Sequence, residues 1–144
     1  MSRRKFRKSL SANDVGATGG HQAGILIPKG EKELLEILPQ LDSSVKNPDA
    51  WIECVDEEGQ KLSFRFVYYN NKLHDDGGTR NEYRLTHMTT WFRDVGAKEA
   101  DEFEISKNDA NDSYSIRIEP KAILDPIPDE DGVRIRITKW RTVH

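Results

Sequence analysis

The sequence predicts a mainly β domain, with seven or so short strands and two short helices bent into a closed or nearly closed mixed barrel. Three observations carry that reading. Apolar residues recur at every second position in several short segments, the period of a half-buried strand. Clusters of Gly, Asn, Asp and Ser separate these segments at short intervals. Only two stretches have helical spacing. A sheet of many short strands exposes two unpaired edges unless it closes on itself, so a barrel is expected.

The elements follow in chain order. Lys5 to Leu10 reads as a strand, and Ser11 to Gln22, dense in small residues and turn formers, as a long loop. Gly24-Ile25-Leu26-Ile27-Pro28 is a short strand ended by proline. Glu31, Glu33 and Glu36 precede or interleave Leu34, Leu35, Leu38 and Leu41, which predicts a helix with one buried side, acidic early turns and a stop at Pro39. Trp51–Val55 and Leu62–Tyr69 form a hairpin about Asp56-Glu57-Glu58-Gly59-Gln60. Residues 70–78 are a loop, and Thr79–Leu85 is extended but unusually polar. Thr89–Val95 is a short helical turn; Glu102–Ile105, Tyr114–Ile118 and Val133–Ile137 are three more alternating strands.

At 144 residues, 35% apolar and 33% charged, residues 1–144 make one domain with a small core, and a wholly disordered chain is excluded. No run approaches the roughly 18 apolar residues of a membrane span, and the basic start lacks the apolar stretch of a signal peptide. A soluble intracellular protein, or a piece of one, is expected. Cys54 is the only cysteine, which excludes an internal disulfide and a cysteine zinc cluster and fits a reducing compartment.

The net charge of -3 conceals an uneven distribution. Residues 1–30 hold six Lys/Arg against one acid, 61–96 six against four, and 133–144 four against none; the two intervening segments are acidic. A fold that gathers the basic segments would present a face attractive to phosphate. The alternative is an ordinary solvated surface of mixed charge.

Most catalytic chemistry finds no support. The glycine-rich loop Gly16-Ala17-Thr18-Gly19-Gly20-His21 lacks the Gly-Lys-Ser/Thr end of a nucleotide P-loop. His74, Asp75, Asp76 and His87 match no zinc spacing. Cys54 sits in an apolar strand, where a thiol is an inert packing group. Asp109 with Glu119-Pro120-Lys121 has the outline of a magnesium nuclease, but Pro120 disrupts the strand end and such triplets arise often in a Glu- and Lys-rich chain.

The segment Thr79-Arg80-Asn81-Glu82-Tyr83-Arg84 is the strongest cluster. In an extended chain Arg80, Glu82 and Arg84 project to one side and Asn81 and Tyr83 to the other. Arginine grips guanine O6 and N7 with two hydrogen bonds and glutamate accepts from the cytosine amino group, each worth roughly 1–3 kcal/mol of discrimination in the major groove. Equally, Glu82 neutralises two neighbouring arginines on a solvated strand, a pairing worth about 0–1 kcal/mol. The residues alone leave both readings open.

Two segments together resemble a known family. Leu10 to Gly24 followed by Ile27-Pro28, and Tyr68-Tyr69-Asn70 with Thr79-Arg80-Asn81-Glu82-x-Arg84, are similar to the amino-terminal effector-binding domain of EcoRII-type restriction endonucleases. A weaker likeness to plant B-three transcription-factor domains lies in Lys98-Glu99-Ala100-Asp101-Glu102-Phe103. The resemblance implies a seven-stranded B-three-like DNA-binding pseudobarrel that clasps double-stranded DNA between two arms, residues 11–23 and 78–86. It places base contacts on His21, Arg80, Glu82 and Arg84, and lets Asn81 hold its arm or touch phosphate. Gly19, Gly20, Gln22, Tyr83 and Lys72 join them as expected DNA-contacting residues. It implies an allosteric site of the CC(A/T)GG type, no catalysis and no cofactor in this domain, and magnesium only in a separate catalytic domain after residue 144. The isolated domain is expected to be a monomer in the bacterial cytoplasm, without membrane or small-molecule partners. Gly78 and Tyr83 stand where the family carries lysine, and Leu26 where it carries tyrosine, so outer contacts are expected to differ. A self-contained magnesium nuclease and a protein-interaction module are the alternatives.

Overall fold

The computed structural model describes residues 3–12, 14–15, 24–108, 112–120 and 140–143. Among them are eight strands and three short helices, in the order β1 (Arg3–Ser9), β2 (Ile25–Ile27), α1 (Lys32–Ile37), β3 (Asp49–Val55), β4 (Lys61–Tyr69), α2 (Asn71–His74), β5 (Glu82–Thr86), α3 (Thr89–Asp94), β6 (Glu102–Asn108), β7 (Tyr114–Glu119) and β8 (Trp140–Val143). The expectation of seven strands and two helices is corrected on both counts. β8 was not predicted, and α2 occupies what reads as a loop. The predicted strand Val133–Ile137 lies outside the described residues.

The strands form one sheet in the order β2-β5-β4-β3-β7-β6-β1-β8. All neighbours are antiparallel except β3 and β7, which run parallel and pair only at Cys54–Tyr114 and Val55–Ser115. The two sheet edges meet: Trp140 Nε1 of β8 donates to the Leu26 carbonyl of β2 at 3.0 Å. The barrel is thus nearly closed by a side chain and not by a ladder.

Strand alternation builds the core. Ile25 and Ile27, Ile52 and Cys54, Phe64 and Phe66, Leu85, Phe103 and Ile105, and Ile116 all point inward and belong to one apolar cluster. The two longer helices cap it. Leu34 and Ile37 of α1 and Trp91 and Phe92 of α3 are buried, and Trp91 donates its ring N–H to Asp56 in the β3–β4 turn at 3.0 Å. That turn is the expected hairpin; Gly59 supplies a φ of +78°, a left-handed conformation that glycine adopts without strain. No helix among the described residues is long and apolar enough to cross a membrane.

Closure also arranges the charge. Around the wall, β4, β5 and β2 are followed by β8 and β1, so the described strands of the three basic segments become neighbours. Their charge is partly spent: Arg4 pairs with Glu36, Arg7 with Glu104 and Arg141 with Glu102.

Candidate nucleic-acid interface

The second predicted arm is built from the end of β4 onward. Asn70 is fully buried, and its amide is satisfied by the segment beside it: Oδ1 accepts from the Asn47 N–H at 2.7 Å, and Nδ2 donates to the carbonyls of Val45 and Ser43 at 2.9 and 3.3 Å. Asn71 then opens α2. Its Oδ1 accepts the Arg80 N–H at 2.7 Å, while the Lys72 N–H donates to the Arg80 carbonyl at 3.0 Å. Residues 71–80 therefore form a loop whose ends are tied together, and Arg80 lies in that clasp, ahead of the β5 ladder. Gly78 is required by close approach, because a Cβ there would lie 2.1 Å from the Asn71 carbonyl oxygen.

In β5 the alternation sorts side chains as expected. Leu85 and Tyr83 turn toward the core, and Arg80, Glu82 and Arg84 share the outer side. Glu82 receives Arg80 Nε on Oε1 at 3.0 Å and Arg84 Nε on Oε2 at 3.0 Å, with Arg84 Nη2 2.9 Å from Oε2. Burial alone would raise the Glu82 pKa; the hydrogen bonds and charges of Arg80 and Arg84 outweigh it and hold the carboxyl below its ordinary value. The carboxylate stays ionised and keeps acceptor capacity on Oε1, since each oxygen carries two lone pairs.

The two arginines differ in what they have left to give. Arg84, with 17% of its side chain exposed, also donates Nη1 to the Gly24 carbonyl at 3.0 Å. Arg80 is 35% exposed; its guanidinium carbon lies 3.9 Å from the Tyr69 ring centroid, and Nε alone is engaged among the described residues. Its two terminal amino groups form the fork that suits guanine O6 and N7.

The other predicted residues divide. Asn81 takes no place in the outer row; its Oδ1 accepts the hydroxyl of the buried Tyr68. Tyr83 is likewise turned from that row, stacked on Tyr68 at 4.4 Å and Phe66 at 5.6 Å between centroids. Lys72 is exposed on α2. His21, Gly19, Gly20 and Gln22 lie outside the described residues, as do Asp109 and Lys121. The described ends of the first arm are anchored. At one, Lys8 Nζ and Asp14 Oδ2 form a buried ion pair at 2.6 Å. At the other, Gly24 adopts φ +81°, with a Cβ position 2.2 Å from the Leu85 carbonyl. Among the described residues, no group of three His, Cys, Asp or Glu is placed to hold a metal ion.

Sequence reasoning missed Tyr69, Asn71 and the Gly24 carbonyl as partners of the arginines. A polar Asn-Asn pair directly after an alternating strand was the one available signal.

Barrel and arm together define the class as a B-three-like pseudobarrel. The structure titled "Arabidopsis FUS3-DNA complex" matches it with a TM-score of 0.60 at 19% identity, over 81% of this chain and 96% of that one. Residues 2–100 match the family described as "Restriction endonuclease EcoRII, N-terminal". The chain belongs to that family. A curated relative, the type II restriction enzyme EcoRII of Escherichia coli, is 40% identical over 89 residues. That match takes in 56% of this chain and 20% of the relative, so the chain spans about a fifth of the length of that enzyme.

Proposed function

We propose that this domain binds double-stranded DNA sequence-specifically, as the targeting or allosteric module of a type II restriction endonuclease. It grips the major groove between the arm at 11–23 and the arm at 78–86, and reads a G·C-rich site of the CC(A/T)GG type. Cleavage and its magnesium belong to a separate domain; this one acts as a monomer in the bacterial cytoplasm. The observation that carries the reading is the outer row of Arg80, Glu82 and Arg84, where a glutamate splints two arginines and leaves the Arg80 fork clear. Such a pairing adds little stability at this exposure, so its value lies in orientation. Glu82 accepts from cytosine, Arg80 donates to guanine, and Arg84 braces Glu82 and the root of the first arm. His21 and Gln22, with the backbone at Gly19 and Gly20, are assigned to the other side of the groove. Lys72 is assigned to phosphate. Asn81 and Tyr83 support the arm from within.

Family membership and a B-three-like barrel support DNA binding over the protein-interaction alternative. The nuclease alternative is weakened at Glu119, whose Oε2 is spent on Arg117 Nη1 at 2.5 Å. Gel-shift competition between a CC(A/T)GG duplex and one with a single G·C pair changed tests the proposal. Preference for the first, abolished by Arg80→Ala while weak salt-sensitive binding persists, is the expected result; equal loss on both duplexes would sink base reading.

A further inference from the structure

Arg80 is fixed by more than the glutamate it pairs with. Its backbone is clasped on both sides, N–H to Asn71 Oδ1 at 2.7 Å and carbonyl to the Lys72 N–H at 3.0 Å. Its guanidinium lies on the Tyr69 ring, 3.9 Å from the ring centroid. A four-residue helix such as α2 has no stability of its own, so the loop depends on this clasp. Gly78 is packed so closely on the Asn71 carbonyl that any larger residue must open it.

We propose that Asn71, with Gly78 and Tyr69, is a positioning device that presets Arg80 for base reading, so that sequence preference depends on residues that touch no base. The proposal rests on the reading of Arg80 as the guanine contact. Its physical basis is preorganisation: a free arginine surrenders much rotamer freedom when it docks, and a side chain already stacked, splinted and carried on a fixed backbone surrenders less. A side chain at position 78 has no room against the Asn71 carbonyl, so the clasp holds only with glycine there.

The test compares binding of the CC(A/T)GG duplex and a random duplex at one salt concentration, for the wild type and for Arg80→Ala, Asn71→Ala, Asn71→Asp and Gly78→Ala. Asn71→Ala and Gly78→Ala are each expected to lower the ratio of the two affinities at least about fivefold, the lower end of one bidentate guanine contact, with random-duplex binding nearly unchanged. Asn71→Asp keeps the acceptor for the Arg80 N–H and restores the ratio, although its added charge weakens both complexes alike. Exchange of the Arg80 amide hydrogen, followed without DNA, should speed up in Asn71→Ala and return to the wild-type rate in Asn71→Asp. An unchanged ratio in Asn71→Ala, where Arg80→Ala abolishes it, would overturn the device and leave base reading intact. Absence of any wild-type preference, or its survival in Arg80→Ala, would remove the reading beneath it and this proposal together.

Discussion

Two carboxylates have the same geometry at different depths. Glu104 sits between Arg7 and Arg117, both at 2.9 Å, with 7% of its side chain exposed, and Glu82 sits between Arg80 and Arg84 with 26% exposed. At Glu104 burial again works to raise the pKa, and the hydrogen bonds and charges of Arg7 and Arg117 overcome it and lower it. A carboxyl held below its ordinary value of 4.5 contributes stability above that pH and loses it as pH falls through the folded value. Glu104→Gln should therefore lower the denaturation midpoint at pH 7 and flatten its decline as pH falls below the ordinary carboxyl range, as read from urea titrations at several pH values. Cys54 is the opposite case: burial first, then the nearby Glu53 charge, push its thiol up to about 12. Native protein at pH 8 should resist a thiol reagent that modifies the unfolded chain at once; rapid native labelling would contradict this burial. At this scale the sequence was informative where alternation decides direction, as in the common side of Arg80, Glu82 and Arg84. It was silent on Asn71 and Tyr69, because their meeting with Arg80 depends on how residues 70–80 close, and no local periodicity encodes that closure.

The elements that were legible have a face to bury. The hairpin of β3 and β4, the α1 leucines and the alternation of β6 and β7 all emerge from apolar spacing. α2 did not, since Asn70 and Asn71 are turn formers by intrinsic preference and act here through side-chain hydrogen bonds. β8 did not either, because Trp140 to Val143 is short and its pairing with β1 comes from the far end of the chain. Turn glycines separate two costs. Gly59 has a positive φ and open space, whereas Gly24 has a positive φ and the Leu85 carbonyl against its Cβ position. Gly59→Ala should cost roughly 1–2 kcal/mol from backbone conformation alone. Gly24→Ala should cost clearly more and also weaken DNA binding, since it displaces the carbonyl that Arg84 holds. Denaturation midpoints and gel shifts on the two variants check the ordering.

For the whole molecule, the alternation of charge along the chain became a sequence of strands around a barrel only through the closure at Trp140, which no single segment foretells. Trp140→Phe retains a ring beside Phe103 and removes the bond to Leu26; a loss of about 1–2 kcal/mol is expected from the hydrogen bond, measured by urea denaturation. Despite the net charge of -3, DNA affinity should fall steeply with salt, because local phosphate contacts and not the sum set the slope. A flat salt titration would argue against the assigned face.

The parallel seam between β3 and β7 has a consequence of its own. With two paired positions against seven between β3 and β4, the wall consists of two four-stranded leaves held there mainly by the oil of the shared interior. One leaf carries the clasped loop and receives the chain at Gly24; the other holds β1 between β6 and β8. The parallel ladder is therefore the weakest join in the wall, and amide exchange at Val55 and Ser115 should outpace exchange along the seven-position register of β3 and β4.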